Sequence, residues 1–223
     1  MWRVIAVFIV LALGLTGCVS VPDAGRADLA EQYYIEDVDV VISPGVLIPV
    51  RYDDSVAEFF DEDAEKVAER PWLQPVLERY RDDGRSAISY EYLRQSIKAD
   101  FKAELNQYMT GPRPARLVVN VYSLYFPDRS SVMMGFDARG ARISFLLHEV
   151  GQDQMLASAD PFRTVPAMNG AQGVIGLAIR AAVPNQHIRD LEDVSQGIVN
   201  DTTRLLVKER VPYHQRNTVR VYE

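Results

Sequence analysis

The segment Arg116-Leu117-Val118-Val119-Asn120-Val121-Tyr122-Ser123-Leu124-Tyr125-Phe126 decides the fold. Successive side chains of a strand point to opposite faces, so Leu117, Val119, Val121 and Tyr125 share one side. Val118, Tyr122, Leu124 and Phe126 make the other nearly as apolar, which predicts a central strand covered on both faces. Just upstream, Ile88, Leu93, Ile97, Phe101, Leu105 and Tyr108 or Met109 recur every three to five residues, the stripe of an amphipathic helix. Ser86 or Ser89 can cap that helix and Gly111-Pro112 ends it. Downstream, Ala141–Glu149 alternates, with Ala141, Ile143, Phe145 and Leu147 inward and Arg142, Ser144 and His148 toward water. Val150–Asp153 reads as a turn and Gln154–Ala159 as the returning antiparallel strand.

Further toward the N-terminus, Asp37–Ser43 places Val38, Val40 and Ile42 on one face of a first strand, and Val46–Tyr52 reads as its continuation. Asp53–Glu69 holds eight acidic residues with Lys66 as the only base. It reads as a helix with a solvated acidic face over Val56, Phe59, Phe60, Ala64, Val67 and Ala68. Pro71 ends it, a short helix covers Trp72–Arg81, and Asp82-Asp83-Gly84 turns the chain. Toward the C-terminus, Gly170–Val183 is apolar and rich in small residues, with Gly170, Gly173 and Gly176 at intervals of three. Gln186–Arg210 is a long helix with Ile188, Leu191, Val194, Ile198, Leu205 and Leu206 as its stripe. Val219 and Val221 in the tail suit an edge strand. Together these elements predict an α+β fold, a mostly antiparallel sheet of about four strands packed against amphipathic helices in layers.

The N-terminus carries an address. Arg3 precedes an apolar run from Val4 to Leu15, and Leu15-Thr16-Gly17-Cys18 follows, with Cys18 the only cysteine of the chain. The run is too short for a bilayer, whose core of about 30 Å takes roughly 20 apolar residues. The tetrad resembles a bacterial lipobox, which implies cleavage between Gly17 and Cys18 and acylation of the Cys18 sulfur. Two or three acyl chains on one residue make attachment effectively permanent. Val19 stands where the resemblance to proteobacterial lipoproteins implies that an aspartate would retain the protein at the inner membrane, so the expected location is the outer membrane, facing the periplasm. The expected organisation is a signal peptide at 1–17, a lipidated cysteine and flexible tether at 18–35, one periplasmic domain at 36–210 and a tail at 211–223.

Composition narrows the function. The chain has 24 basic and 31 acidic residues, a net charge of −7, which disfavours a nucleic-acid binder. With no cysteine pair to cross-link, the fold must close a hydrophobic core, and the 48% apolar composition suffices for that. The three histidines, His148, His187 and His214, lie apart, so neither a metal site nor a cofactor is expected. Gly-x-Ser-x-Gly is absent, and the spacing of Gly170, Gly173 and Gly176 is not that of a dinucleotide fingerprint.

The order of elements, with the segments Ala115–Val121 and Ala141–Glu149, resembles small envelope lipoproteins whose periplasmic domain is similar to the N-terminal domain of TolB, including the peptidoglycan-synthase activator LpoB. The resemblance implies a non-enzymatic lipoprotein that offers its domain to another envelope protein. A transport-auxiliary lipoprotein binding a lipid or periplasmic component, and an enzyme acting on the cell wall, stay open beside it. The expected partner surfaces are the acidic Asp61-Glu62-Asp63 and the small-residue stretch around Gly173 and Gly176.

Overall fold

A computed structural model describes residues 23–62, 67–126, 139–152, 154–164, 185–207 and 219–221. Helix α1 (Asp23–Gln32) runs into strand β1 (Tyr33–Ile42), followed by α2 (Val50–Glu62), a 3-10 turn (Pro71–Leu73), α3 (Gln74–Asp83) and α4 (Ile88–Leu105). Strands β2 (Arg113–Tyr125), β3 (Gly140–Glu149) and β4 (Met155–Arg163) then lead to α5 (Gln186–Val207) and the short β5 (Val219–Val221). The fold is α+β, and the sheet has the order β1-β2-β3-β4-β5. Only β1 and β2 are parallel, with Val38 opposite Leu117 and Val40 opposite Val119. A parallel pair needs a crossover, here supplied by the helices from α2 to α4. The remaining pairs are antiparallel, with Val119 opposite Phe145, Leu147 opposite Ala157, and Ala157 opposite Val221. Pro161, which cannot donate to a ladder, falls where the β3–β4 register shifts.

The core lies between one sheet face and the helices. Val38, Leu117, Val119, Val121, Ile143, Phe145 and Leu147 are buried in one cluster with Leu93, Ile97, Phe101 and Leu105 of α4 and Leu191, Val194 and Ile198 of α5. The opposite face is not covered as expected for β2. Tyr122 and Val41 are exposed and Val118 and Leu146 half-buried, because the described helices all pack on the other side. Ser144, expected in water, is buried there, bonded to the Tyr122 hydroxyl at 2.9 Å.

Several local expectations are corrected. The stretch placed in a flexible tether ending at residue 35 contains α1 and the start of β1, and residues beyond 210 supply β5, so the fold extends past both ends of 36–210. Leu29 and Tyr33 are core residues, and the Ala30 carbonyl accepts from the Thr110 N–H at 3.0 Å. Val46–Tyr52 does not extend β1: the chain turns after Ile42, and Tyr52 lies in α2 with its ring fully buried. Neither Ser86 nor Ser89 caps α4 by its side chain. Ala87 precedes the helix in left-handed conformation (φ 55°), and Asp53 of α2 supplies the carboxylate, accepting from the Ser89 N–H at 2.8 Å and its hydroxyl at 2.6 Å. A negative charge suits that helix end. At the other end, Gly111 is needed for close approach, since a Cβ there would stand 2.0 Å from the Gln32 carbonyl carbon.

Strand β1 is an edge, and side chains cover part of it. The Asn106 carboxamide takes the place of a neighbouring strand, its Oδ1 accepting from the Ile35 N–H at 2.8 Å and its Nδ2 donating to the Ile35 carbonyl at 3.0 Å. Arg94 Nε donates to the Val40 carbonyl at 3.3 Å. Such covering discourages edge-to-edge pairing. Asn106→Ala should therefore cost about 1–3 kcal/mol in chemical denaturation, against less than about 0.5 kcal/mol for Gln107→Ala on the exposed side of the same turn.

Candidate functional site

The first turns of α5 meet the end of the sheet where β2 finishes and β3 begins, and a buried polar cluster forms there. Asp190, 2% exposed, sits at its centre. Its Oδ2 accepts from the Tyr52 hydroxyl at 3.3 Å, and its Oδ1 accepts from Gln186 Nε2 at 2.9 Å. Arg139, 4% exposed and one residue before β3, reaches both Asp190, at 3.5 Å, and Asp193. The His187 ring packs on Tyr52 with centroids 4.7 Å apart, and its Nδ1 is 3.9 Å from Asp190 Oδ2, longer than a hydrogen bond. Phe126 closes the other side of the Tyr52 ring at 4.5 Å. Burial, then the Asp190 carboxylate, push the Tyr52 phenol far above its ordinary range, so it stays a neutral donor. The helical spacing Gln186, His187, Asp190, Asp193 puts these α5 groups on adjoining positions of two turns. That spacing was the readable signal; Tyr52 and Arg139 come from distant segments.

A second cluster joins α5 to α4. Glu192 Oε1 accepts from Arg70 at 2.8 Å and from the Tyr92 hydroxyl at 3.1 Å. Ser195 donates to Asp100 Oδ2 at 2.7 Å. Burial raises the Asp100 carboxyl above its ordinary 3.8; Glu192 adds to this, while the hydroxyls of Ser195 and Ser96 oppose it. Beside Asp100 a polar groove of about 210 Å³ runs between the helices, lined by Glu104, Gln107, Gln196 and Asn200.

Of the expected partner residues, Asp61 is exposed on α2, but its carboxylate is engaged within the chain: Tyr80 donates to it at 3.2 Å and Arg85 stands 3.9 Å away. Gly17, Cys18, Asp63, Gly173, Gly176 and the Glu62 side chain lie outside the described residues. Among the described residues no helix is long and apolar enough to cross a membrane, and no three His, Cys, Asp or Glu converge as metal ligands do. Scans against family models, curated proteins and solved structures give no match.

Both clusters join elements remote in sequence. Removing one partner of a buried charge pair costs far more than trimming a neutral donor. Asp190→Ala should lose about 3 kcal/mol in denaturant unfolding, whereas Tyr52→Phe, which keeps the ring against Phe126, should lose about 1 kcal/mol. For Asp100 the sign is set by its upward shift. The folded state holds this proton more tightly than the unfolded chain, so the group favours folding at low pH, and that contribution is lost as pH rises through the raised value. The melting temperature of Asp100→Asn should accordingly gain on wild type as pH rises from about 4 to 7. A difference constant across that range would remove burial as the dominant influence on Asp100.

Proposed function

We propose that this chain is a lipid-anchored envelope protein, attached through Cys18 to the periplasmic face of the outer membrane, whose α+β domain binds another envelope protein. One observation carries the reading most: α1 begins at Asp23, five residues after the lipobox cysteine, so acylation at Cys18 would attach lipid immediately outside the folded domain. At no more than about 3.6 Å per residue, the link spans at most roughly 18 Å, and the domain works next to the bilayer. The interior supports a binding role. Among its buried carboxylates, Asp53 caps a helix, while Asp190 and Glu149 pair with arginines, contacts that join elements of the fold. Recognition then belongs to the exterior, where a partner meets a preformed surface.

The decisive test of anchoring is metabolic labelling with palmitate in a bacterium that processes lipoproteins. Wild type should incorporate label and fractionate with outer membranes, and Cys18→Ala should incorporate none. Label surviving in Cys18→Ala, or wild-type protein recovered from the cytosol, would overturn the reading.

A further inference from the structure

Helix α1 stands where the chain enters the domain, and little in its own sequence holds it helical. Its 10 residues fall short of the roughly 12–15 at which an isolated helix begins to persist in water. Gly25 lies inside it, a residue that favours helix less than any other but proline. Glu31 occupies its last turn with no base there, although the partial negative charge of a helix C-terminus disfavours an acid. Tertiary packing adds a narrow hold. Among the described side chains of α1, Leu29 enters the core and Ala30 is half-buried, while Asp28, Glu31 and Gln32 are exposed.

The C-terminal end of α1 is pinned. The Ala30 carbonyl accepts from the Thr110 N–H at 3.0 Å, the Gly111 N–H donates to the Tyr33 carbonyl at 3.1 Å, and Gly111 passes directly against Gln32. Strand β1 follows without a loop and pairs with β2 from Tyr33 onward. Unwinding that starts at Asp23 therefore stops at Leu29. A segment that opens without breaking into the core does so far more often than the whole molecule unfolds. The consequence is one of length. With α1 formed, the link from Cys18 to Asp23 spans at most roughly 18 Å. With Asp23–Asp28 unwound, the link runs from Cys18 to Leu29 and reaches up to about 40 Å.

We propose that α1 is a releasable section of the membrane tether: its first turns open while the rest of the domain stays folded, and the domain then meets a partner farther from the bilayer than the formed helix allows. The opening follows from α1 itself, and its use as a tether rests on the anchoring reading. A partner at that distance binds only the open form and so draws the equilibrium toward it.

Arg26, inside the section, makes the opening measurable, because trypsin cuts a helix where it has unwound. The full chain is digested under native conditions, both as the lipoprotein in liposomes and as Cys18→Ala in solution. The cut after Arg26 is followed by mass, each rate taken relative to that in the unfolded chain. Gly25→Ala should slow the cut about threefold or more and Ala27→Gly should speed it by a similar factor, while Ile143→Val, which weakens the core, should leave it unchanged. A cut that ignores both α1 variants, or that rises with Ile143→Val, would overturn the opening. Reach is read in liposomes by energy transfer from labelled headgroups to a dye on a cysteine placed at the exposed Gln107. Ala27→Gly should transfer less than Gly25→Ala, and equal transfer would overturn the tether role. Wild type without palmitate label refutes the anchor and the tether role with it, and the trypsin result in solution then stands for the opening alone.

Discussion

The pairing of Arg139 with the carboxylates of α5 ties the start of β3 to the first turns of that helix. A carboxylate as inaccessible as that of Asp190 has given up its contact with water, and its desolvation, on the order of several kcal/mol per ion, calls for close compensation. Arg139 provides it from the residue leading into β3, and Tyr52 and Gln186 contribute hydrogen bonds from α2 and from α5 itself. The requirement is geometric as well as energetic. α5 can satisfy Asp190 only when its first turns stand over the start of β3, and from there its stripe of Leu191, Val194 and Ile198 is laid along the sheet. Ser195 and Glu192, one turn on, then meet Asp100, Arg70 and Tyr92, so the position of α4 beside α5 follows from the same placement.

The sheet sets the second constraint. Because β1 pairs only with β2, and in parallel, the chain must return the length of the sheet before β2 can begin, and α4 makes that return. The helix ends where Asn106 can reach Ile35 and where Gly111 can pass against Gln32, so one short connection both closes the crossover and covers the exposed edge. Asn106 thereby performs locally what another strand would otherwise do.

How far the sequence alone carries can be seen element by element. Period-two alternation identified Leu117, Val119 and Val121 of β2 and the inward set of β3, though the register shift after Val121 leaves Tyr125 exposed and turns Leu124 and Phe126 to the core instead. The stripes of α4 and α5 were read residue by residue, because burial of an apolar face leaves its period in the chain. The outer face of β2 misled: Val118 and Tyr122 are apolar, yet β-branched and aromatic side chains suit a pleated surface whether or not it is covered. Helix α1 escaped notice because it lacks an amphipathic stripe and depends on Leu29 and on the Thr110–Ala30 contact. Val46–Tyr52 read as a continuation of β1, whereas the Ser43–Val46 hydrogen bond and the grip of Tyr90 on the backbone hold a turn there. The partners that complete the buried polar clusters were illegible for a related reason. Asp53 caps a helix 36 residues away in sequence, and Arg139 meets Asp190 across 51, separations at which no local pattern survives.

The same division bears on function. Acidic residues are abundant in this chain, and abundance in sequence suggested an acidic partner surface at Asp61. Folding spends several of them internally: Asp53 on a helix end, Asp190 on Arg139, Asp61 on Tyr80 and Arg85. A charge already engaged within the molecule loses part of its attraction for a partner, since binding must break or share the existing contact.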